Sequence, residues 1–187
     1  MNATDYRTQH PYEVVITLEQ IQTRVQELGE QINRDYQDAD ELVLLVVLQG
    51  SIVFAADLMR QLSVPVYLEC LRVASYHGGT VSSGQVDFQG NPELEQLRGK
   101  HVMVVEDILD TGRTLHAVVE HLRSEAVGAA EVRTCVMLNK QVSCAIEMEP
   151  DYQGFEIDDL FVVGYGLDYN GHYRNLPFIC ALDGGSI

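Results

Sequence analysis

The sequence predicts an α/β fold built on a mainly parallel, twisted sheet flanked by helices. Three observations carry that prediction. Apolar runs of strand length alternate with segments whose apolar residues recur at helical spacing. One of those runs, Leu42 to Leu48, is apolar throughout, as a strand covered on both faces must be. Glycine-bearing turns, Gln49-Gly50-Ser51 and Arg98-Gly99-Lys100, punctuate the pattern.

Thr17-Leu18-Glu19-Gln20 has the pattern of a capping box, with the Thr17 hydroxyl on a backbone amide and Gln20 reaching back. Ile21, Val25, Leu28 and Ile32 follow at helical spacing, which predicts an amphipathic helix tolerating Gly29. After the strand Leu42 to Leu48 and its turn, Ile52 to Leu62 reads as a helix and Val64 to Val73 as a second strand. Ser75 to Gly84 (SYHGGTVSSG) is rich in Gly and Ser with little to pack, so a mobile loop is expected, with Gln85 to Phe88 as a short strand returning from it. His101 to Val105 is a further strand. Thr114 to Ala126 is helical, with Leu115, Val118, Val119 and Leu122 on one face. Glu131 to Leu138 and Leu160 to Gly164 complete the strands. No repeat, low-complexity tract or linker interrupts the 187 residues, which are read as one domain.

Apolar residues make up 46% of the chain, which argues against disorder. No apolar run reaches bilayer length, and the N-terminus has no apolar signal core, so a cytoplasmic protein with no membrane partner is expected. Cys70, Cys135, Cys144 and Cys180 form no CxxC pair and sit in or near apolar segments, like small buried thiols. His116 and His121 are five apart and make a poor metal pair on a helix. The net charge of −16 repels phosphate backbones, so nucleic acid is not an expected partner. Of the 12 basic residues only Lys100 and Lys140 are lysines.

The chemistry concentrates in Val102 to Leu115 (VMVVEDILDTGRTL). An apolar strand ends in Glu106 and Asp107, a third acid follows at Asp110, and Thr111-Gly112-Arg113-Thr114 leads into a helix. Backbone amides at that helix start, with Thr111 and Thr114 hydroxyls beside them, can form a phosphate cradle that Gly112 lets come close. Neither a Walker loop nor a dinucleotide loop is present. An Asp-capped helix with solvated acids would account for Thr-Gly alone, but not for three acids around it. A ligand with both a phosphate and a sugar diol would use both features, with carboxylates accepting from hydroxyls and a divalent cation relieving their repulsion of the phosphate.

This stretch resembles the phosphoribosyl-pyrophosphate signature of the type I phosphoribosyltransferases. Further segments narrow the resemblance to the hypoxanthine-guanine phosphoribosyltransferase family: Leu48-Gln49-Gly50-Ser51 leading into Phe54 to Leu58, Ala74-Ser75-Tyr76, Phe155 to Asp159, and Phe161 to Tyr169 (FVVGYGLDY) followed by Tyr173 to Pro177 (YRNLP). The resemblance covers roughly residues 10 to 183. It implies the type I phosphoribosyltransferase fold, with a small hood made from the chain ends. It also implies transfer of a phosphoribosyl group from 5-phosphoribosyl 1-pyrophosphate to hypoxanthine or guanine, giving IMP or GMP and pyrophosphate with Mg2+. A homodimer or homotetramer is expected, since the family usually forms one.

Carried over residue by residue, the resemblance assigns Glu106 and Asp107 to the ribose hydroxyls and Asp110 to general acid/base work at a purine ring nitrogen. Thr111, Gly112, Arg113 and Thr114 match the cradle for the sugar's terminal phosphate. Arg113 would serve there by its amide alone or stand in solvent, and both readings are open. Lys140 matches the lysine on the 6-oxo group, Phe161 the ring that stacks on the base, and Val162 the backbone at its edge. Asp168 matches a magnesium-contacting acid, giving Glu106, Asp107 and Asp168 as metal candidates, with Asp168 also beside the purine. Arg174 matches a pyrophosphate contact, as do Gln49 and Gly50, in a turn where the family often has a cis peptide, here at Leu48-Gln49. Gln49 departs from the Lys or Arg of many relatives, so any side-chain role in binding pyrophosphate is in doubt. Ser75 and Tyr76 match a lid loop. A preference for xanthine or guanine is a rival within the same chemistry, and a regulatory protein that senses phosphoribosyl pyrophosphate or binds RNA is a rival from another class, its RNA form opposed by the net charge of −16.

Overall fold

In the computed structural model, residues 12–73, 94–141, 146 and 148–182 are described. Five parallel strands form the main sheet in the order β3-β2-β4-β5-β6: β2 (Leu42–Leu48), β3 (Val66–Arg72), β4 (His101–Leu109), β5 (Glu131–Lys140) and β6 (Tyr152–Ile157). Helices α1 (Leu18–Asp35) and α2 (Ile52–Met59) cover one face, and α3 (Arg113–Arg123) with a 3-10 turn at Leu94–Leu97 covers the other. Strand β2 shows why its sequence is apolar at every position. Leu42, Leu44 and Val46 enter the core under α1 and α2, while Val43, Leu45 and Val47 enter the core under α3.

The α1 capping box is present, with the Thr17 side chain accepting from the Gln20 amide and Gln20 accepting from the Thr17 amide. Its buried stripe is Ile21, Val25, Leu28, Gly29 and Ile32. Gly29 is more than tolerated: a Cβ there would lie 2.3 Å from the Gln61 Cβ, so glycine lets α1 approach the end of α2. A second, antiparallel sheet of order β1-β8-β7 joins the chain ends, from β1 (Tyr12–Ile16), β7 (Val162–Val163) and β8 (Ile179–Leu182).

Several boundaries differ from the sequence reading. Strand β4 does not stop at Val105 but runs to Leu109, so Glu106 and Asp107 are strand residues and the loop proper begins at Asp110. Strand β5 likewise extends to Lys140. Helix α2 ends at Met59 rather than Leu62 because Gln61 and Leu62 donate to Leu58 and Met59, three residues back, which tightens the chain out of the α-helix. Pro65 brings no amide, and β3 starts after it, with the Pro65 carbonyl accepting from Leu42. Helix α3 begins at Arg113 and stops before the extended Ser124, whose hydroxyl donates to the His121 carbonyl. Only Val162–Val163 of the Leu160 to Gly164 run is strand. The loop expected at Ser75 to Gly84, including Ser75 and Tyr76, and the strand expected at Gln85 to Phe88 lie outside the described residues. Among the described residues no helix is long and apolar enough to cross a membrane.

Candidate active site at the carboxyl edge of the sheet

Parallel strands place their carboxyl ends along one edge, where ligands of open α/β sheets sit. Register sets which residues meet there. Leu109 pairs with Asn139 and Lys140 with Ile157, so Asp110, Lys140 and the turn after Ile157 finish at one level. Their side chains converge: Lys140 Nζ lies 3.2 Å from Asp159 Oδ1 and 3.8 Å from Asp110 Oδ2. Lys140 is largely covered, with 11% of its side chain exposed.

Beyond Leu109 the chain enters α3 through Asp110, Thr111 and Gly112. Gly112 caps the helix at φ 76°, a left-handed conformation that favours glycine. Its carbonyl accepts from the His116 amide at 3.0 Å, and having no side chain it leaves the first-turn amides without a side-chain cap of its own. A Cβ at Gly112 would lie 2.5 Å from the Ile146 carbonyl oxygen, and the Ile146 amide donates to Thr111 at 3.3 Å. A cavity of about 210 Å³ is lined by the run from Glu106 to Gly112 together with Thr114 and Leu115. A helix N-terminus and two threonines at its wall suit an anionic ester. Arg113 is exposed.

The acids sit where strand alternation sends them. Val102 and Val104 pack under α3, and Glu106 continues that face; Met103 and Val105 pack under α1 and α2, and Asp107 continues theirs. Glu106 is buried, and burial followed by the nearby Asp107 charge pushes its carboxyl up to about 8. Burial also raises Asp107, to about 6, against the opposing pull of the Ile108 amide, which donates to Oδ1 at 2.9 Å, and of the Arg174 guanidinium.

Two more segments close on Asp107. The Leu48-Gln49 peptide bond is cis, at the turn between β2 and α2 where the resemblance expects it. A Cβ on Gly50 would lie 1.5 Å from Asp107 Oδ2, so this carboxylate rests on the turn itself. A Cβ on Gly166 would lie 2.0 Å from the Gly50 carbonyl oxygen, which brings residues 164–174 against the same turn. Arg174 binds that last segment together, donating to the Gly166 carbonyl at 2.6 Å and to Asp168 Oδ1 at 2.7 Å, while Asp168 Oδ2 accepts from the Gly171 amide at 2.7 Å. Tyr165 donates to Asp57 Oδ2 at 2.9 Å and so ties the segment to α2. Gln49 is exposed. Phe161 is 43% exposed, its ring nearly perpendicular to that of Tyr169 with centroids 5.7 Å apart, and Val162 is buried opposite Ala181.

Among the described residues no three His, Cys, Asp or Glu side chains are gathered to hold a metal ion. Glu106, Asp107 and Asp168 therefore do not converge as a set, and the strand explains it, since Glu106 and Asp107 leave on opposite faces. Asp107 is nonetheless near enough to Asp168 and Arg174 for both charges to act on it. The donor chemistry, carboxylate oxygen alone, fits a hard divalent cation that takes one or two carboxylates and completes its shell with phosphate and water.

Sequence reasoning gave no role to Asp159, Asp57, Ile146 or Gly166. Asp159 lies within the quoted Phe155 to Asp159 segment, where paired acids at a strand end were the available signal. The contacts of Asp57 with Tyr165 and of Ile146 with Gly112 join distant parts of the chain and leave no local pattern.

The phosphoribosyl transferase domain family matches residues 17–170. A hypoxanthine-guanine phosphoribosyltransferase of Mycobacterium tuberculosis is 40% identical over 175 residues, covering 91% of this chain and 85% of the relative. That of Staphylococcus aureus is 41% identical over 170 residues, covering 91% and 93%. The crystal structure of a hypoxanthine-guanine phosphoribosyltransferase from Bacillus anthracis, with HEPES in its active site, superposes with a TM-score of 0.84 at 38% identity, covering 91% of this chain and 98% of that one. A ternary substrates complex of a hypoxanthine phosphoribosyltransferase mutant from Trypanosoma cruzi gives 0.85 at 36% identity, covering 96% and 98%.

Proposed function

Because this chain belongs to the phosphoribosyl transferase domain family, among the hypoxanthine-guanine phosphoribosyltransferases, we propose that it joins hypoxanthine or guanine to phosphoribosyl pyrophosphate through Asp110 and Lys140. It is a pentosyl-transferring enzyme of purine salvage. What supports the finer reading most is one juxtaposition: an ammonium and a carboxylate 3.8 Å apart, beside a helix-capped anion cavity, at the carboxyl edge of a parallel sheet.

The terminal phosphate of the donor rests on the amides and hydroxyls of Thr111 to Thr114. The ribose hydroxyls meet Glu106 and Asp107; a carboxyl raised as far as that of Glu106 can accept from a hydroxyl when ionised and donate to one when protonated. Pyrophosphate lies over the Gln49-Gly50 turn, with Arg174 at its flank. The purine stacks on the open face of Phe161 with the Val162 main chain at its edge. Its 6-oxygen accepts from Lys140, a cation that disfavours the amino group of adenine. Bond making and breaking balance within the two substrates: the purine ring nitrogen bonds to the sugar's anomeric carbon as the carbon–oxygen bond to pyrophosphate breaks, and the electron pair leaves with pyrophosphate. Asp110 takes the proton that the purine loses. The carbon passes through an oxocarbenium-like state, which nearby carboxylates stabilise. A magnesium ion, when bound, supplies positive charge against the diphosphate, and Asp107 and Asp168, whose charges act on one another, carry the oxygens that would hold it. Ser75 and Tyr76 would belong to a lid. A homodimer or homotetramer in the cytoplasm completes the reading.

The test is to incubate the protein with magnesium, phosphoribosyl pyrophosphate and hypoxanthine, guanine, xanthine or adenine in turn, and to separate the nucleotides formed. IMP and GMP are expected. Binding of the donor with no nucleotide formed from any base would overturn the reading in favour of a sensor. Asp110→Asn should lower turnover by about 10²–10⁴; unchanged turnover removes Asp110 from the proton transfer.

A further inference from the structure

Residues 164–176 form a segment held together by its own bonds. The Gly164 and Leu167 amides donate to each other's carbonyls at 3.0 Å, the Tyr165 amide donates to Leu176 at 2.8 Å, and the Gly166 amide donates to Arg174 at 3.0 Å. The Arg174 guanidinium adds its bonds to Asp168 and to the Gly166 carbonyl. This segment meets the turn before α2 and α2 itself in two ways. The first is close backbone approach: a Cβ on Gly166 would lie 2.0 Å from the Gly50 carbonyl oxygen and 3.6 Å from Val53 Cβ. The second is a side-chain bond, Tyr165 to Asp57 Oδ2 at 2.9 Å, one helical turn beyond Val53. Tyr165 makes it from an uncommon backbone conformation, at φ 49° between Gly164 at 97° and Gly166 at 102°. Glycine adopts such values freely, whereas a bulky residue does so where its surroundings hold it. Tyr165 is buried, and burial followed by the Asp57 charge raises its phenol, which keeps it a donor. Asp57 is oriented in turn, since Arg60 holds its other oxygen at 2.8 Å.

We infer that Tyr165 and Asp57 are positioning residues, a clasp that fixes the segment bearing Asp168 and Arg174 against the Gln49-Gly50 turn and so sets affinity for the diphosphate end of the donor. This rests on the pyrophosphate site proposed above. Helix α2 starts directly after that turn, at Ile52, so a bond to Asp57 joins the two walls of the site from behind. The walls are close: the Asp107 carboxylate rests on Gly50 and feels the charges of both Arg174 and Asp168. Gly166 determines how near the two backbones come. A second attachment one turn along α2 determines the angle between them, and with it where Arg174 and Asp168 stand relative to Gly50. The purine is placed chiefly by Lys140 on β5 and by Phe161, which precedes the segment. Loosening the clasp should therefore be felt by the donor much more than by the base.

The experiment compares the wild-type protein with Tyr165→Phe, Asp57→Ala, Asp57→Asn and the double variant of Tyr165→Phe with Asp57→Ala. Each is assayed by steady-state kinetics with hypoxanthine or phosphoribosyl pyrophosphate varied, and by calorimetric titration with phosphoribosyl pyrophosphate and magnesium in the absence of purine. Tyr165→Phe keeps the ring and loses only the hydroxyl, so the fold is retained. Tyr165→Phe and Asp57→Ala should each raise KM and Kd for the donor about three- to tenfold, the worth of one hydrogen bond, with KM for hypoxanthine changed less than twofold. Asp57→Asn keeps an oxygen that accepts from the phenol and should stay within twofold of the wild type. The double variant should be no worse than either single one, because both remove the same bond. Wild-type donor affinity in Tyr165→Phe overturns the inference. So do an equal rise in both KM values, which marks general loosening, an Asp57→Asn as impaired as Asp57→Ala, and additive effects in the double variant. A wild-type protein that binds the donor and forms no nucleotide would instead overturn the proposed function, and the titration would still decide on the clasp. A wild-type protein that does not bind the donor overturns both.

Discussion

Replacing Glu106 by glutamine removes a charge that the fold resists, and the result must depend on pH in one direction. The carboxyl is buried at the end of β4 and is raised from 4.5 to about 8, first by burial and then by Asp107. A raised acid binds its proton more tightly folded than unfolded. Below pH 4.5 both states are protonated and nothing is lost. Between the two values the unfolded chain has released the proton and the folded one has not, so stability falls as pH rises, by about 1.4 kcal/mol per pH unit, and levels off above the folded value. At pH 7 that amounts to roughly 3 kcal/mol, an order-of-magnitude figure. Glutamine has no proton to hold, so Glu106→Gln should match the wild type near pH 5 and be more stable by a margin that grows to pH 8. Urea unfolding of both proteins from pH 5 to 8, without metal or substrate, measures it through the transition midpoint and slope. A difference between the two proteins that stays constant across that range, or shrinks toward pH 8, would refute the reasoning. Asp107→Asn should show a smaller gain within a lower window, from 3.8 to about 6.

Three further outcomes are expected. Gly112→Ala forces a side chain into a left-handed position with 2.5 Å of room before the Ile146 carbonyl, so KM for phosphoribosyl pyrophosphate should rise at least tenfold with the purine KM less affected, as steady-state kinetics with each substrate varied would show. Gly50→Ala drives a methyl onto Asp107 Oδ2, and should both raise KM for the donor and destabilise the fold by about 1–3 kcal/mol, measured by urea unfolding. Stripping divalent cations with a chelator should abolish nucleotide formation while leaving the far-ultraviolet circular dichroism unchanged, and magnesium should restore it; full turnover after chelation would contradict a metal requirement.

What the sequence disclosed and what it hid follow from the range of the forces involved. The α1 cap was legible because Thr17 and Gln20 exchange bonds within one turn. Strand β2 was legible because coverage on both faces leaves no polar position in Leu42–Leu48. The end of β4 was not: Glu106 and Asp107 look like loop residues, yet the register with β5 carries the ladder through them to Leu109. The two acids end the strand at the wall of a cavity, where burial raises both carboxyls. Strands β1 and β8 are short and, among the described residues, pair with each other and with β7, so their signal is tertiary. The motif residues were found by resemblance, but the contacts among them were not. Asp110 meets Lys140 only because β5 lies beside β4, and that neighbour relation is written nowhere in the local sequence.

The charge pattern of the edge carries a consequence for how substrates enter. Each of two cations there is already held by an acid from its own or the adjoining segment, Lys140 by Asp159 and Arg174 by Asp168. Both are thereby oriented before a ligand arrives, which spares reorganisation during the reaction. The same edge also gathers Glu106, Asp107 and Asp110, so its described acids outnumber its described bases. Burial answers part of that excess by keeping Glu106 and Asp107 prone to protonation. A phosphate can still dock through the backbone amides of α3, because a helix terminus attracts anions without contributing a side-chain charge. A diphosphate over the Gln49-Gly50 turn meets the Asp107 carboxylate there, and the Arg174 guanidinium at its flank is already paired with Asp168. The donor would therefore have to bring compensating charge with it, and its affinity should climb with free magnesium far more steeply than that of the purine.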